Sequence, residues 1–253
     1  MVAKLTAAGA TEVISHGASW QNADDHLRAV VIPKAHERGE EGVYIPPFDH
    51  EAIWEGAGSM VEEIMRQMPD GDKPDAIVCS VGGGGLLAGV MNGLDRVGWA
   101  GEVQVLATET RGADSLAQAL KVRELIALPG ITSIATSLGA VRVARKAFEE
   151  AQRKNVRSVV LEDAEACMGC WRLADDERIL VEPACGVSVA LCYDGRLARL
   201  VPGFNKESKV VVVVCGGSRI TLDMLQEYKR VYGQRAAQLQ AELKLASKED
   251  EPR

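Results

Sequence analysis

The sequence has no apolar run long enough to cross a membrane, no stripe of lysine and arginine, no disulfide-like cysteine framework and no internal repeat or low-complexity segment. The first absence, with an opening Met1-Val-Ala-Lys4 that leads into a polar amphipathic stretch rather than a signal-peptide core, predicts a cytoplasmic protein. The second, with a net charge of −7 and a pI near 5.3, excludes nucleic acid and anionic membranes as partners. The six cysteines, several of them inside apolar runs (Cys79, Cys192, Cys215), read as reduced thiols. Cys167-Met-Gly-Cys170 has the spacing of a metal or redox pair, but it lies in a predicted helix and no second pair follows. None of His16, His26, His36 and His50 is spaced to complete a zinc site, so the thiols read as packing groups and the histidines as surface or capping residues. No Ser/His/Asp arrangement can be argued from the sequence.

With 47% hydrophobic residues, the chain has enough apolar surface for a sizeable core. Its most informative segments are two strands that end in glycine: Asp75-Ala-Ile-Val-Cys-Ser-Val81 before Gly82-Gly83-Gly84-Gly85, and Val210–Val214 before Cys215-Gly216-Gly217-Ser218. Each reads as strand, tight turn, helix. Four glycines free the backbone from Cβ, so consecutive N–H groups can converge on an anion at the start of a helix over Leu86–Asp95. The second turn places a thiol and a hydroxyl, Cys215 and Ser218, at the carboxyl end of another strand, where open parallel sheets keep their ligands. Together they suit a flat phosphorylated cofactor.

The pattern along the chain predicts a helix over Lys4–Ala8, a strand over Thr11–Ser15, a helix over Trp20–Arg38 and a short strand over Val43–Ile45. Asp49 is placed to cap a helix running to about Met68. Strands follow over 75–81, Val103–Thr108, Ser158–Leu161 and Lys209–Val214. They alternate with helices over 86–95, from about Ala113, and over Val141–Arg153, Ala164–Ala174, Pro183–Leu200 and Ile220–Val231, with a loop over Leu128–Gly139. Val- and Ile-rich strands alternating with helices predict an α/β fold, a mostly parallel sheet covered on both faces. From Gln234 an amphipathic helical extension is expected, ending in a solvated, frayed Lys248–Arg253.

The glycine run has a rival reading, because Gly83-x-Gly85-x-x-Ala88 fits a dinucleotide fingerprint and Glu109 ends the next strand at the distance of a ribose-binding acid. A fingerprint needs ordinary residues between its glycines, whereas an unbroken run makes a wider nest suited to a terminal phosphate, so a monophosphate is favoured. Glu109, at the end of an apolar strand, must be paired, hydrated or bound to a cation, or else simply face solvent. Glu182, followed by Pro183, reads as a first-turn acid complementing a helix dipole.

Six motifs in order resemble the pyridoxal-phosphate-dependent L-serine dehydratases (L-serine/L-threonine ammonia-lyases) of the tryptophan synthase β-subunit-like fold. They are Pro46-Pro-Phe-Asp-His-Glu-Ala-Ile-Trp-Glu-Gly56, Ser80–Gly89, Glu109-Thr with Gly112-Ala113, Ile131–Gly139, Asp176–Gly186 and Val214-Cys-Gly-Gly-Ser218. The resemblance runs from the start to about Gly233. It implies a small-domain remnant over 1–50, a large cofactor-binding domain over 51–233 and a helical extension over 234–253. It implies that Gly82, Gly83, Gly84 and Gly85 hold the cofactor phosphate, that Cys215 faces the pyridine nitrogen with Ser218 beside it, and that a monovalent cation, typically K⁺, is held by Glu109 and by carbonyls near Gly82, Ala113, Leu138 and Ala140. The implied reaction is β-elimination of L-serine to pyruvate and ammonia, or of L-threonine to 2-oxobutanoate, in a homodimer.

The sequence also departs from that family. Its members carry the Schiff-base lysine and a Ser-x-Gly-Asn loop for the substrate carboxylate upstream of the segment matching Lys4–Gly17, and neither occurs here. The expectation is a dehydratase lacking its N-terminal part, with no catalytic lysine of its own. Two other functions compete with it: a non-catalytic phosphate-ligand or subunit-binding module, and a Rossmann oxidoreductase that would bind NAD.

Overall fold

A computed structural model of the chain describes residues 1 to 249, except the side chains of Asp70 and of residues 246 to 249. It divides into two compact units, Met1–Pro46 and the chain from Pro47 onward.

In the first unit, α1 is Val2–Ala7, α2 is Trp20–His26 and α3 is Ile32–Glu37, with a π-helical turn over Leu27–Val31 between the last two. The helix expected over Trp20–Arg38 is thus present in mixed register. Pro33 is the cause: it has no N–H to donate one turn back and its ring crowds that carbonyl, and the widened turn before it relieves both. Buried Asp24 accepts from the Tyr44 hydroxyl (2.6 Å) and the Arg28 Nε (3.0 Å), and the Arg28 guanidinium lies 4.0 Å over the Tyr44 ring. The strands expected over Thr11–Ser15 and Val43–Ile45 are absent. Neither segment has a ladder partner among the described residues, and Val43 and Ile45 are 68% and 77% exposed, so nothing rewards their ordering into strands.

The second unit opens with α4, Glu51–Gln67, capped by the His50 Nδ1, which accepts from the Ala52 N–H at 3.2 Å. Asp49, expected to cap this helix, does not. Then come β1 (Ala76–Ser80), α5 (Gly85–Arg96), β2 (Gln104–Thr110), α6 (Ser115–Val122), α7 (Arg145–Glu150), β3 (Val156–Leu161), α8 (Asp163–Glu177), α9 (Pro183–Val189), α10 (Leu197–Leu200), β4 (Val210–Val212) and α11 (Leu222–Glu249). All ladders are parallel, and the strand order is β3-β2-β1-β4.

The two faces of the sheet carry separate cores. Ile77, Cys79, Val105 and Ala107 pack with α4, α5 and α7, while Ala76, Val78 and Leu106 pack with α8 and α9. β1 is buried at every position, which explains its unbroken apolar sequence. On the second face α8 and α9 meet backbone to backbone, and a Cβ at Gly169 would lie 2.1 Å from the Gly186 carbonyl oxygen. The same contact buries Cys167, Cys170 and Cys185 as packing groups. Burial pushes the thiol pKa values of all three up.

The helix expected over Pro183–Leu200 is broken. After α9 and a 3₁₀ turn at Ala190–Cys192, Tyr193 is extended and Asp194 and Gly195 turn left-handed (φ 60° and 69°), a turn that the Asp-Gly pair encodes. The helix expected over Val141–Arg153 begins only at Arg145, because the Ala144 N–H donates to the Gly83 carbonyl (2.9 Å) instead of entering a helical turn. The two helical pieces expected beyond Ile220 are one helix, α11. It is held by Arg235 on Glu162 (3.0 and 2.7 Å) and by Arg199 Nη2 donating to the Leu243 carbonyl (2.8 Å). The frayed end expected at Lys248–Arg253 lies largely outside the described residues.

Candidate cofactor site

From β1 the chain steps to β2 and then β3, and it later returns to the other side of β1 as β4. The order therefore reverses between β1 and β4, and the crevice at their carboxyl ends is where open parallel sheets bind ligands. The Gly82–Gly85 run follows β1 and the Cys215–Ser218 turn follows β4, so adjacent parallel strands deliver both predicted segments to one place.

The glycine turn is required twice over. Cβ atoms would lie 3.0 Å from the Leu138 Cα at Gly82, 2.1 Å from the Phe48 ring at Gly83, 2.4 Å from the Ala147 Cβ at Gly84 and 2.8 Å from the Phe48 carbonyl oxygen at Gly85. Gly84 also has φ of 91°, open to glycine and costly for other residues. Protein packing therefore accounts for all four glycines sterically, more fully than the sequence suggested. Packing does not account for their hydrogen bonding. Among the described residues, none of the N–H groups from Gly82 through Leu87 donates to a protein acceptor, whereas Val81 before them donates to the Thr108 carbonyl and Ala88 after them to the Gly84 carbonyl. Six consecutive donors at the start of a twelve-residue helix are thus left without a protein acceptor, at the end of the helix whose dipole favours an anion.

Cys215 has a pKa raised by burial, with the Ser80 hydrogen bond opposing it, so at neutral pH it is a neutral thiol. Gly216 and Gly217, with φ of 87° and 152°, bend the turn around Glu182, whose Cγ lies 2.4 Å from where a Gly217 Cβ would stand. Glu182 is the residue whose role the sequence mislaid. It precedes α9 rather than lying in its first turn. Its carboxylate accepts from the Arg219 N–H (2.8 Å) and the Ser137 hydroxyl (2.6 Å), strapping the Cys215–Ser218 turn to the Thr136–Leu138 turn.

Glu109 has no exposed surface. Its two oxygens accept from the Leu116 and Ala117 N–H groups, each at 2.8 Å, in the first turn of α6. Both oxygens are thereby engaged at the start of α6, and the fully buried carboxylate is not exposed as a ribose-binding acid would be. No basic side chain pairs with it among the described residues. Burial pushes its pKa up to about 8, with Asp114 adding to the rise and the two N–H donors opposing it. Of the other residues expected around a cation, Gly82 packs on Leu138, the Leu138 carbonyl accepts from the Ala140 N–H (2.7 Å), and Ala113 closes the turn after β2 through its N–H to the Thr110 carbonyl (2.8 Å). Among the described residues no group of three His, Cys, Asp or Glu side chains could hold a metal ion.

A raised folded-state pKa on a carboxyl means that between about pH 4.5 and 8 the folded chain keeps a proton the unfolded chain has lost. Stability from this group is full below about pH 4.5 and is lost as pH rises through 8. Urea denaturation with tetramethylammonium as the only added cation is expected to show stability declining across that window. Glu109→Gln, which cannot titrate, should flatten the decline. An equal slope in wild type and variant would assign it to other groups.

A family model described as pyridoxal-phosphate dependent enzyme matches residues 1–216. An L-serine dehydratase of Saccharomyces cerevisiae (strain AWRI1631) is 41% identical over 229 residues, 88% of this chain and 68% of that protein. A serine dehydratase-like protein of Rattus norvegicus is 45% identical over 218 residues, 83% of this chain and 65% of that protein. The crystal structure of a fungal L-serine ammonia-lyase from Rhizomucor miehei superposes with a TM-score of 0.78 at 36% identity, covering 87% of this chain and 67% of that one. The chain thus spans about two thirds of the length of these relatives. The chain belongs to the pyridoxal-phosphate-dependent enzyme family and has its tryptophan synthase β-subunit-like fold.

Proposed function

We propose that the chain serves the β-elimination of L-serine to pyruvate and ammonia, with L-threonine giving 2-oxobutanoate, and that it needs a Schiff-base lysine which none of its own lysines supplies. The observation that carries this reading is the run of unengaged N–H groups from Gly82 to Leu87 beside Cys215. The names of the relatives support the substrate.

Bound there, pyridoxal phosphate supplies an electron sink that acidifies the substrate Cα–H and lets the β-hydroxyl leave. The residues of this chain bind and orient it. The Gly82–Gly85 N–H groups and the α5 dipole would hold its phosphate, and Cys215 and Ser218 would lie toward its pyridine nitrogen. A neutral thiol cannot hold that nitrogen protonated as a carboxylate would, which suits loss of a β-hydroxyl and disfavours transamination. K⁺ belongs to the same reading, held by Glu109 with the carbonyls of Gly82, Ala113, Leu138 and Ala140. What supports it is a fully buried carboxylate with no basic partner among the described residues, in a fold where Gly82 packs on the Leu138 backbone. The homodimer and the cytoplasmic setting are further parts of the proposal. No described helix is long and apolar enough to cross a membrane, and all six cysteines are free.

The test is a titration with pyridoxine 5′-phosphate, which keeps the ring and phosphate but lacks the aldehyde. Tryptophan fluorescence should report weak binding that inorganic phosphate competes away and that NAD does not reproduce. Cys215→Asp should move the bound ligand's ultraviolet band to its ring-protonated position. Binding that is indifferent to phosphate, or a band unmoved by the aspartate, would remove Gly82–Gly85 or Cys215 from the site.

A further inference from the structure

A cavity of about 330 Å³ lies between the carboxyl ends of β2 and β3, the start of α8 and the C-terminal half of α11. That volume is at the small end of ligand sites, which run from about 300 to 1,000 Å³. No residue placed in the cofactor site lines it. One wall is apolar: Val160 comes from β3, and Leu239 and Leu243 stand one turn apart on α11. The charges around it are already engaged, with one exception. The Glu165 carboxylate accepts from the Glu162 N–H (2.7 Å) and pairs with Arg196, and both side chains are largely buried. Glu162 accepts twice from Arg235 (3.0 and 2.7 Å), and Glu242 lies 3.6 Å from the same guanidinium.

The exception is Arg111. Its N–H donates to the Leu161 carbonyl (2.8 Å), which fixes its backbone where β2 and β3 end, while its guanidinium makes no hydrogen bond or ion pair among the described residues. It acts on Glu162 only through space: Arg235 first, and Arg111 after it, hold that carboxyl below the usual carboxylate range. A second cavity, of about 300 Å³, opens beside Arg111 toward Tyr232 and Arg235, so the guanidinium is reached from two sides.

The flat fork of a guanidinium matches a carboxylate with two parallel hydrogen bonds. Glu162, Glu165 and Glu242 on the same wall repel a multiply charged anion, which disfavours a phosphate group. The leucines and Val160 offer apolar surface to whatever stands behind the carboxylate. We propose that this cavity binds a monocarboxylate with a short apolar chain, its carboxylate on Arg111 and its chain against Leu239, Leu243 and Val160. Such a ligand bridges α11 to the strand ends, adding to the clasp made by Arg235 on Glu162 and by Arg199 on the Leu243 carbonyl. The inference does not rest on the activity proposed above, because the cofactor site contributes nothing to this cavity.

The probe is hexanoate, titrated into the chain carrying labelled leucine methyl groups, with inorganic phosphate present to occupy the glycine turn. The Leu239 and Leu243 methyl resonances should move saturably. Arg111→Gln, a change at an exposed side chain, should weaken binding by about tenfold or more through loss of the charge-assisted hydrogen bonds. 1-Hexanol, which keeps the chain and lacks the charge, should bind wild type as weakly as hexanoate binds that variant. L-Norleucine adds an ammonium to the same chain and carboxylate; it should also bind at Leu239 and Leu243 and lose affinity in Arg111→Gln. Four results overturn the inference: Leu239 and Leu243 methyls unmoved at saturation elsewhere, equal hexanoate affinity in wild type and Arg111→Gln, hexanol binding as tightly as hexanoate, or displacement of hexanoate by phosphate.

Discussion

Incubated with pyridoxal phosphate and L-serine, the purified chain is expected to form no pyruvate and to develop no visible-region Schiff-base band. The expected loss is the whole activity. Positioning of a base and nucleophile contributes many orders of magnitude to such reactions, and the lysines with known contacts stand elsewhere. Lys73 and Lys209 precede β1 and β4, at the end of the sheet opposite the glycine turn, and pair with Glu102 and Asp72. Lys146 pairs with Glu150 at 2.7 Å, and Lys229 lies 4.0 Å over the Trp171 ring. Pyruvate formation at the rate of an intact dehydratase would mean that one of the chain's lysines reaches the β1/β4 crevice.

The second large effect concerns Glu109. If K⁺ binds the folded chain at Glu109, K⁺ at 100 times its dissociation constant adds about 2.7 kcal/mol of stability. At roughly 2–4 °C per kcal/mol for a chain of this size, the melting temperature should rise by about 5–10 °C over a tetramethylammonium control at equal ionic strength. Glu109→Ala should abolish the rise entirely. A rise retained in the variant would locate the cation elsewhere, and no rise in wild type would leave Glu109 as a cap for α6 alone.

Much of this architecture was legible because the relevant signals are local. Short apolar stretches rich in Val and Ile mark parallel strands, and β1, β2, β3 and β4 all fall where such stretches lie, β1 and β4 each leading into a glycine turn. That the two glycine turns lie on adjacent strands at a strand-order reversal is seen only in the sheet itself. What was not legible depends on contacts distant in sequence. Thr11–Ser15 and Val43–Ile45 have strand-like composition and, among the described residues, no neighbouring strand to pair with. The Glu182 carboxylate reads as helix chemistry until Ser137 and Arg219 are seen to meet it from two other loops. Phe48, which sits over Gly83 and Gly85, was visible only as part of a Pro-Pro-Phe string. The break at Asp194-Gly195 was a local signal that the helical periodicity around it outweighed.

If the β1/β4 crevice holds a phosphorylated pyridine through the glycine turn and Cys215, as proposed, backbone amide chemical shifts read it directly. On titration of the ¹⁵N-labelled chain with pyridoxine 5′-phosphate, the amides of Gly82, Gly83, Gly84 and Gly85 should shift most, with Cys215 and Gly216 following. Inorganic phosphate alone should move the four glycines and leave Cys215 in place. Largest shifts at any other segment, with Gly82–Gly85 unmoved at saturating ligand, would contradict the account.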